Sequence, residues 1–186
     1  MAYLLYEIIL YLSSLLLVPY YLFRGLKHGK SRRGIRERLG FYEPDRIDPL
    51  AGRDVIWIHA VSVGETRAAI PLLKALREKY PDTALVLTNV TETGHAIALE
   101  LKTVDLCLFF PFDLSWAVGR ALDQVKPDMI IIVETEIWPN FVRLAKLRKI
   151  PVLLVNGRIS DRSYPRYRLF RFLVKSVLSN YTWFCM

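Results

Sequence analysis

Glu134-Thr135-Glu136 closes an apolar run and places two carboxylates one residue apart. Such a pair can ligate a metal, accept hydrogen bonds from sugar hydroxyls, or cap the helix that Pro139 opens. No histidine lies in the segment, which weighs against a metal. Ser62-Val63-Gly64-Glu65-Thr66 follows a different apolar run. Gly64 permits close backbone approach, and the amides after it can hold an anion or a hydroxyl-rich ligand. Ser62 could equally cap an ordinary tight turn. Asn156-Gly157-Arg158 offers a guanidinium that can grip a phosphate or tie two loops together. Glu37 stands alone among Arg33, Arg36 and Arg38, and by spacing alone it reads as half of a helix-surface ion pair. His59 and His95 read as structural histidines, and Cys107 and Cys185 as buried thiols in apolar runs.

Several chemistries are excluded. Gly29-Lys30-Ser31 has the end of a phosphate-binding loop, but Arg24 occupies the place of its first glycine. No G-x-G-x-x-G follows the first apolar run, and no G-x-S-x-G elbow exists anywhere in the chain.

Elements that position these residues follow from the apolar pattern. The runs VIWIHA (55–60), ALVLTNV (84–90), LCLFF (106–110), MIIIVE (129–134), PVLLVN (151–156) and YTWFC (181–185) are continuously apolar, as strands buried on both faces are. Between them lie IPLLKALREKY, GHAIALELK, WAVGRALDQV, NFVRLAKLRK and RLFRFLVKSVL, each with apolar residues at helical spacing. The alternation predicts an α/β fold: a Rossmann-like parallel sheet of about six strands, helices on both faces, over residues 54–186. Ligands of such sheets sit beyond the carboxyl ends of the strands. The loops SVGET, TETGH, PFDLS, TEIWPN and GRISDRS therefore hold the candidate site.

Residues 2–23 carry one charge, Glu7, and would span about 30 Å as a helix, with tyrosines near both ends. They predict a membrane helix over 1–24, spanning the bilayer or embedded in its interface. Residues 25–53 follow as a basic segment: Lys27, Lys30, Arg32, Arg33, Arg36 and Arg38 crowd its start, marking a cytoplasmic flank that also binds anionic lipid head groups. The net charge of +8 fits an anionic partner, and without an aromatic platform or recognition helix that partner is not nucleic acid.

The segments ERLGFY (37–42), HAVSVGETRAAIPLLKALREKYPD (59–82), TNVTETG (88–94), PFDLSWAV (111–118), VETEIWPNF (133–141) and RKIPVLLVNGRIS (148–160) together resemble the 3-deoxy-D-manno-octulosonic acid (Kdo) transferases of lipopolysaccharide synthesis. The resemblance covers nearly the whole chain. It implies the N-terminal half of a GT-B glycosyltransferase, holding the lipid A precursor (lipid IVA), with CMP-Kdo held by a C-terminal donor domain expected beyond residue 186. Without that domain the chain is expected to be incomplete for catalysis, and a non-catalytic lipid-binding remnant is the alternative. The family implies inverting transfer with no metal or other cofactor, at the cytoplasmic face of the inner membrane. By resemblance Glu37 is the general base, Glu134 and Glu136 assist it or the acceptor, and Ser62, Gly64 and Glu65 line the cleft. Arg33 and Arg36 are placed to meet the lipid's phosphates.

Overall fold

The computed structural model describes residues 2–27, 32–134, 136–158, 168 and 171–185. Six strands form: β1 (Val55–His59), β2 (Ala84–Asn89), β3 (Leu106–Phe109), β4 (Met129–Val133), β5 (Val152–Val155) and β6 (Trp183–Cys185). Each falls inside one of the apolar runs. They make one sheet in the order β3-β2-β1-β4-β5-β6, parallel throughout. The strand order reverses at β1, so the crevice that such sheets offer to ligands lies at the carboxyl ends of β1 and β4.

Alternate strand residues feed two apolar layers. Val55 and Trp57 of β1 join Val86, Leu108, Ile130, Ile132 and Leu154 beneath α6 (Ser115–Val125), α7 (Pro139–Leu147) and α8 (Arg171–Leu178). Ile56 and Ile58 join Leu85, Leu87 and Ile131 beneath α4 (Val63–Lys79) and α5 (Glu92–Leu99). Helices on both faces explain why the strand runs are apolar without alternation.

Ahead of the sheet come α1 (Ala2–Lys27), α2 (Arg32–Arg38), α3 (Pro44–Ile47) and a short 3-10 turn at Asp48–Leu50. The helix expected over 2–23 forms, but among the described residues no helix is long and apolar enough to cross a membrane. The start of α1 lies against the α/β domain. The Tyr3 hydroxyl donates to the Ser176 carbonyl (3.1 Å) and accepts from the Asn180 amide (2.6 Å). The Tyr6 hydroxyl donates to Asp113 (2.8 Å), and Glu7 faces Arg143 at 3.9 Å. On the other side of the helix Leu4, Leu5, Ile8, Ile9, Leu12 and Leu15 are exposed. Over residues 3–15, then, one face is polar and docked and the other apolar and bare.

α2 lies over the carboxyl end of β3. The Arg38 guanidinium covers the Phe109 ring at 4.4 Å and donates to the Val90 carbonyl (2.6 Å). Tyr42 and Leu50, from the stretch after α2, are buried in the core.

Candidate functional site

The described candidate residues converge on the carboxyl rim of the sheet. Ser62 opens α4, and Glu65 reaches back from the first turn: its Oε2 accepts from the Val61 amide (2.5 Å) and its Oε1 from the Ser62 hydroxyl (3.0 Å). This is the back half of a capping box, and it starts the helix well before the amphipathic stretch at Ile70. An added Cβ on Gly64 would meet only the Ser62 hydroxyl, at 3.9 Å, so the turn is open on that side. Gly94 differs: a Cβ there would lie 2.9 Å from Thr91 Oγ1 and 3.1 Å from the Ser62 carbonyl carbon. The glycine of TETG therefore lets the start of α5 close against the SVGET turn.

Glu134 ends β4 with φ at +65°, a left-handed conformation that costs a non-glycine residue on the order of 1–2 kcal/mol. A strained acidic residue at a strand end is a recurrent mark of a functional site. Asn156, at the end of the neighbouring β5, is left-handed too, at φ +55°. Glu136 is half-buried. Burial first, then repulsion from Glu65 and Glu134, raises its pKa above the usual carboxylate range. Burial likewise raises that of Glu65, with Glu134 adding to the shift against the hydrogen bonds Glu65 accepts. Three carboxylates from the ends of β1 and β4 thus share one electrostatic neighbourhood that would favour hydroxyl or cationic groups. Among the described residues no group of three His, Cys, Asp or Glu side chains is placed to hold a metal ion.

His59 is a core residue. It is fully buried, stacked on Phe110 at 3.7 Å between centroids, and burial pushes its pKa down to about 3. His95 stacks on Phe109 at 4.1 Å. Cys107 is buried as expected, but Cys185 is exposed, because β6 is the edge strand of the sheet.

Glu37 also reaches the rim, but at the sheet edge. It accepts from Arg46 on Oε1 (2.5 Å) and from the Phe109 amide on Oε2 (2.8 Å), and only 3% of the residue is exposed. Arg46 in turn donates to the Cys107 carbonyl. Glu37 is in an ion pair with Arg46 of α3, and it is buried rather than on the surface. Three strand spacings, about 14 Å, separate β3 from β4, so Glu37 and the Glu134–Glu136 pair stand at different points along the rim. Arg36 is exposed in the last turn of α2, and the Arg33 side chain lies outside the described residues. Arg158 is exposed after β5, with Nη2 at 3.5 Å from Asn156 Oδ1.

Asp113 was not legible as a key residue. It lies in PFDLS, 5% exposed, and serves α7 from outside that helix. Its Oδ1 accepts from the Phe141 amide (2.8 Å) and its Oδ2 from the Asn140 amide (3.0 Å). α7 has no side-chain cap of its own, so a residue from a distant loop satisfies its first free amides. Burial pushes the Asp113 pKa up to about 7, helped by the Glu7 carboxylate and opposed by the bonds from Asn140, Tyr6 and Phe141. The folded pKa lies above the ordinary unfolded value of about 4. The stability this group contributes is therefore full below about pH 4 and is lost as pH rises through about 7. Denaturant unfolding at a series of pH values is expected to show a loss on the order of 4 kcal/mol across that window. In Asp113→Asn that part of the slope disappears.

Residues 33–186 match the family described as 3-deoxy-D-manno-octulosonic-acid transferase (kdotransferase). A 3-deoxy-D-manno-octulosonic acid transferase of Haemophilus influenzae is 36% identical over 143 residues, which is 76% of this chain and 33% of that protein. A probable mitochondrial 3-deoxy-D-manno-octulosonic acid transferase of Arabidopsis thaliana is 36% identical over 162 residues, 86% of this chain and 35% of the relative. A bifunctional glycosyltransferase/methyltransferase of Fusobacterium nucleatum is 33% identical over 168 residues, 89% of this chain and 26% of the relative. The chain spans about a third of the length of the curated relatives it matches.

Proposed function

Since the chain belongs to the 3-deoxy-D-manno-octulosonic-acid transferase family, we propose that it forms the acceptor-binding half of an enzyme that moves Kdo from CMP-Kdo to lipid IVA, the lipid A precursor. The observation that carries this reading is placement. ERLGFY, SVGET and ETEIWPN are far apart in sequence, yet all three end on the carboxyl rim of one parallel sheet.

In the proposed reaction a sugar hydroxyl of the acceptor attacks the anomeric carbon of Kdo as CMP leaves, with inversion. One general base takes the hydroxyl proton, and no metal or other cofactor is used. Glu37 is the proposed base. Arg46 and the Phe109 amide hold this carboxylate at the carboxyl end of β3, on the rim where ligands of such sheets sit. The hydroxyl must enter beside the Phe109 amide, which requires the cover over Glu37 to shift. Glu134 and Glu136 would accept hydrogen bonds from acceptor hydroxyls, and the SVGET turn, open at Gly64, would take the backbone-side contact. Arg33, Arg36 and Arg158 would meet phosphates.

The proposed seat is the cytoplasmic face of the inner membrane. What supports it is the bare apolar row of α1 beside a cationic segment. Because Tyr3 and Tyr6 hold the start of α1 on the domain, we place this helix in the plane of the interface, inserted by its Leu4–Leu15 row.

The test is transfer to lipid IVA by a protein that joins this chain to the remainder found in the relatives, with competing nucleotide sugars as donors. Transfer from CMP-Kdo alone is the expected result. Preference for another donor would make this a different transferase of the same fold.

A further inference from the structure

Asp113 does more than cap α7. Its Oδ2 takes two donors at once: the Asn140 amide of α7 and the Tyr6 hydroxyl of α1 at 2.8 Å. The Asp113 carbonyl accepts from the Asn140 side-chain amide as well (2.6 Å). Asn140 Oδ1 accepts from Arg143 (3.2 Å), which faces Glu7 and lies 5.1 Å from the Tyr3 ring. One hydrogen-bonded unit therefore runs from α1, through Asp113, into the first turn of α7.

That first turn directly follows Glu136-Ile137-Trp138. Ile137 and Trp138 pack against the edge of the core. Tyr181 donates to the Glu136 carbonyl (3.1 Å), and the Trp138 ring packs on His59 and Phe110. The Trp138 indole N–H is buried without a hydrogen-bond partner among the described residues. The stretch is thus held at Glu136 by Tyr181 and, at its other end, by the Trp138 ring together with the first turn of α7.

We propose that Asp113 is a positioning residue that couples the seating of α1 to the placement of Glu136-Ile137-Trp138 on the rim. The α1 face that meets Asp113 lies opposite the bare apolar row, so whatever seats that row also completes the ligation of Asp113. Loss of the Tyr6 hydroxyl leaves Oδ2 with the Asn140 amide alone and loosens the first turn of α7. The consequence for acceptor binding rests on the proposed function above; the coupling itself does not.

Amide hydrogen exchange on the 186-residue chain in detergent micelles tests the coupling without any activity. Tyr6→Phe keeps the ring and removes the donor. It is expected to speed exchange of residues 136–142 at least about fivefold while leaving β1, β2 and β4 at wild-type protection. Ser14→Ala, which removes only a bond within α1, is the control. Unchanged exchange at 136–142 in Tyr6→Phe overturns the proposal, and that variant does not depend on whether Asp113→Asn folds. The second arm uses the joined protein and lipid IVA. Tyr6→Phe and Asp113→Asn are each expected to raise the acceptor KM several-fold with the CMP-Kdo KM unchanged. A uniform fall in kcat with both KM values at wild type would mark a merely structural residue and overturn the positioning role. Absence of transfer by the wild-type joined protein would overturn the proposed function and leave the exchange arm to decide the coupling.

Discussion

Glu37→Gln is expected to lower Kdo transfer by about 10²–10⁴-fold, the usual worth of a general base. Glutamine has nearly the same shape and can still accept the Phe109 amide, but it cannot take up the hydroxyl proton. The geometry supplies a rival cause for any loss. Glu37 is 3% exposed and paired with Arg46, so its neutralisation leaves a mostly buried guanidinium without its counter-charge. Removing one member of a buried pair can cost about 3–5 kcal/mol; with the Arg46 side chain 20% exposed, the cost here is expected to be lower, about 1–3 kcal/mol. The two causes separate in a double-mutant cycle. Arg46→Gln removes the pairing charge and keeps the carboxylate. Glu37→Gln with Arg46→Gln removes both charges, so no buried charge is stranded and stability should return most of the way. If Glu37 is the base, the double variant refolds well and still fails to transfer. If Glu37 only pins α2 to β3, the double variant recovers transfer along with stability. Single-turnover rates and denaturant midpoints, measured on the same four joined proteins, decide between them.

The strands were legible because burial on both faces leaves an unbroken apolar run, and all six fall where such runs lie. The start of α4 was less so. Amphipathic spacing sets in at Ile70, but the helix begins at Val63 because Glu65 turns back to Val61 and Ser62. Ser62 stands at the N-cap position but its side chain makes no cap hydrogen bond; the Glu65 carboxylate accepts at the start of the helix instead. The rim loops were found by following strand ends. What could not be read was which acidic residues are spoken for. Glu37 pairs with Arg46 and also accepts from the amide of Phe109, 72 positions away. Tyr6 lies 107 positions from Asp113. Neither pairing leaves a local pattern, since each exists only after the sheet has brought distant loops together. The same holds for α1, whose polar face acquires meaning only against α7 and α8.

Gly40→Ala is expected to lower the unfolding free energy by about 3–4 kcal/mol, combining backbone strain with a hard contact. Gly40 closes α2 in a left-handed conformation, φ +74°, donating to the Glu37 carbonyl (2.8 Å) while Phe41 donates to that of Arg36 (3.0 Å). That is the Schellman arrangement, which favours glycine at this place. Conformation alone does not set the cost. A Cβ at Gly40 would lie 2.4 Å from the Ala117 carbonyl oxygen of α6, a backbone atom that cannot swing aside. Gln124 of the same helix donates to the Gly40 carbonyl (2.6 Å), and Arg120 covers the Phe41 ring at 3.9 Å. Gly52 provides the control. Its φ is +76°, but nothing lies within 4 Å of its Cβ position. Gly52→Ala should therefore report strain alone, about 1 kcal/mol. The difference between the two variants measures the contact of α2 with α6. Should both cost the same, that contact yields freely and the seat of α2 is soft. Should Gly40→Ala cost the larger amount, α2 must move off α6 to accept the methyl group, and Glu37, three residues earlier, moves with it. Transfer should then fall in Gly40→Ala under conditions where the chain is still folded, and remain at wild type in Gly52→Ala. The glycine of ERLGFY would thereby set where its glutamate stands.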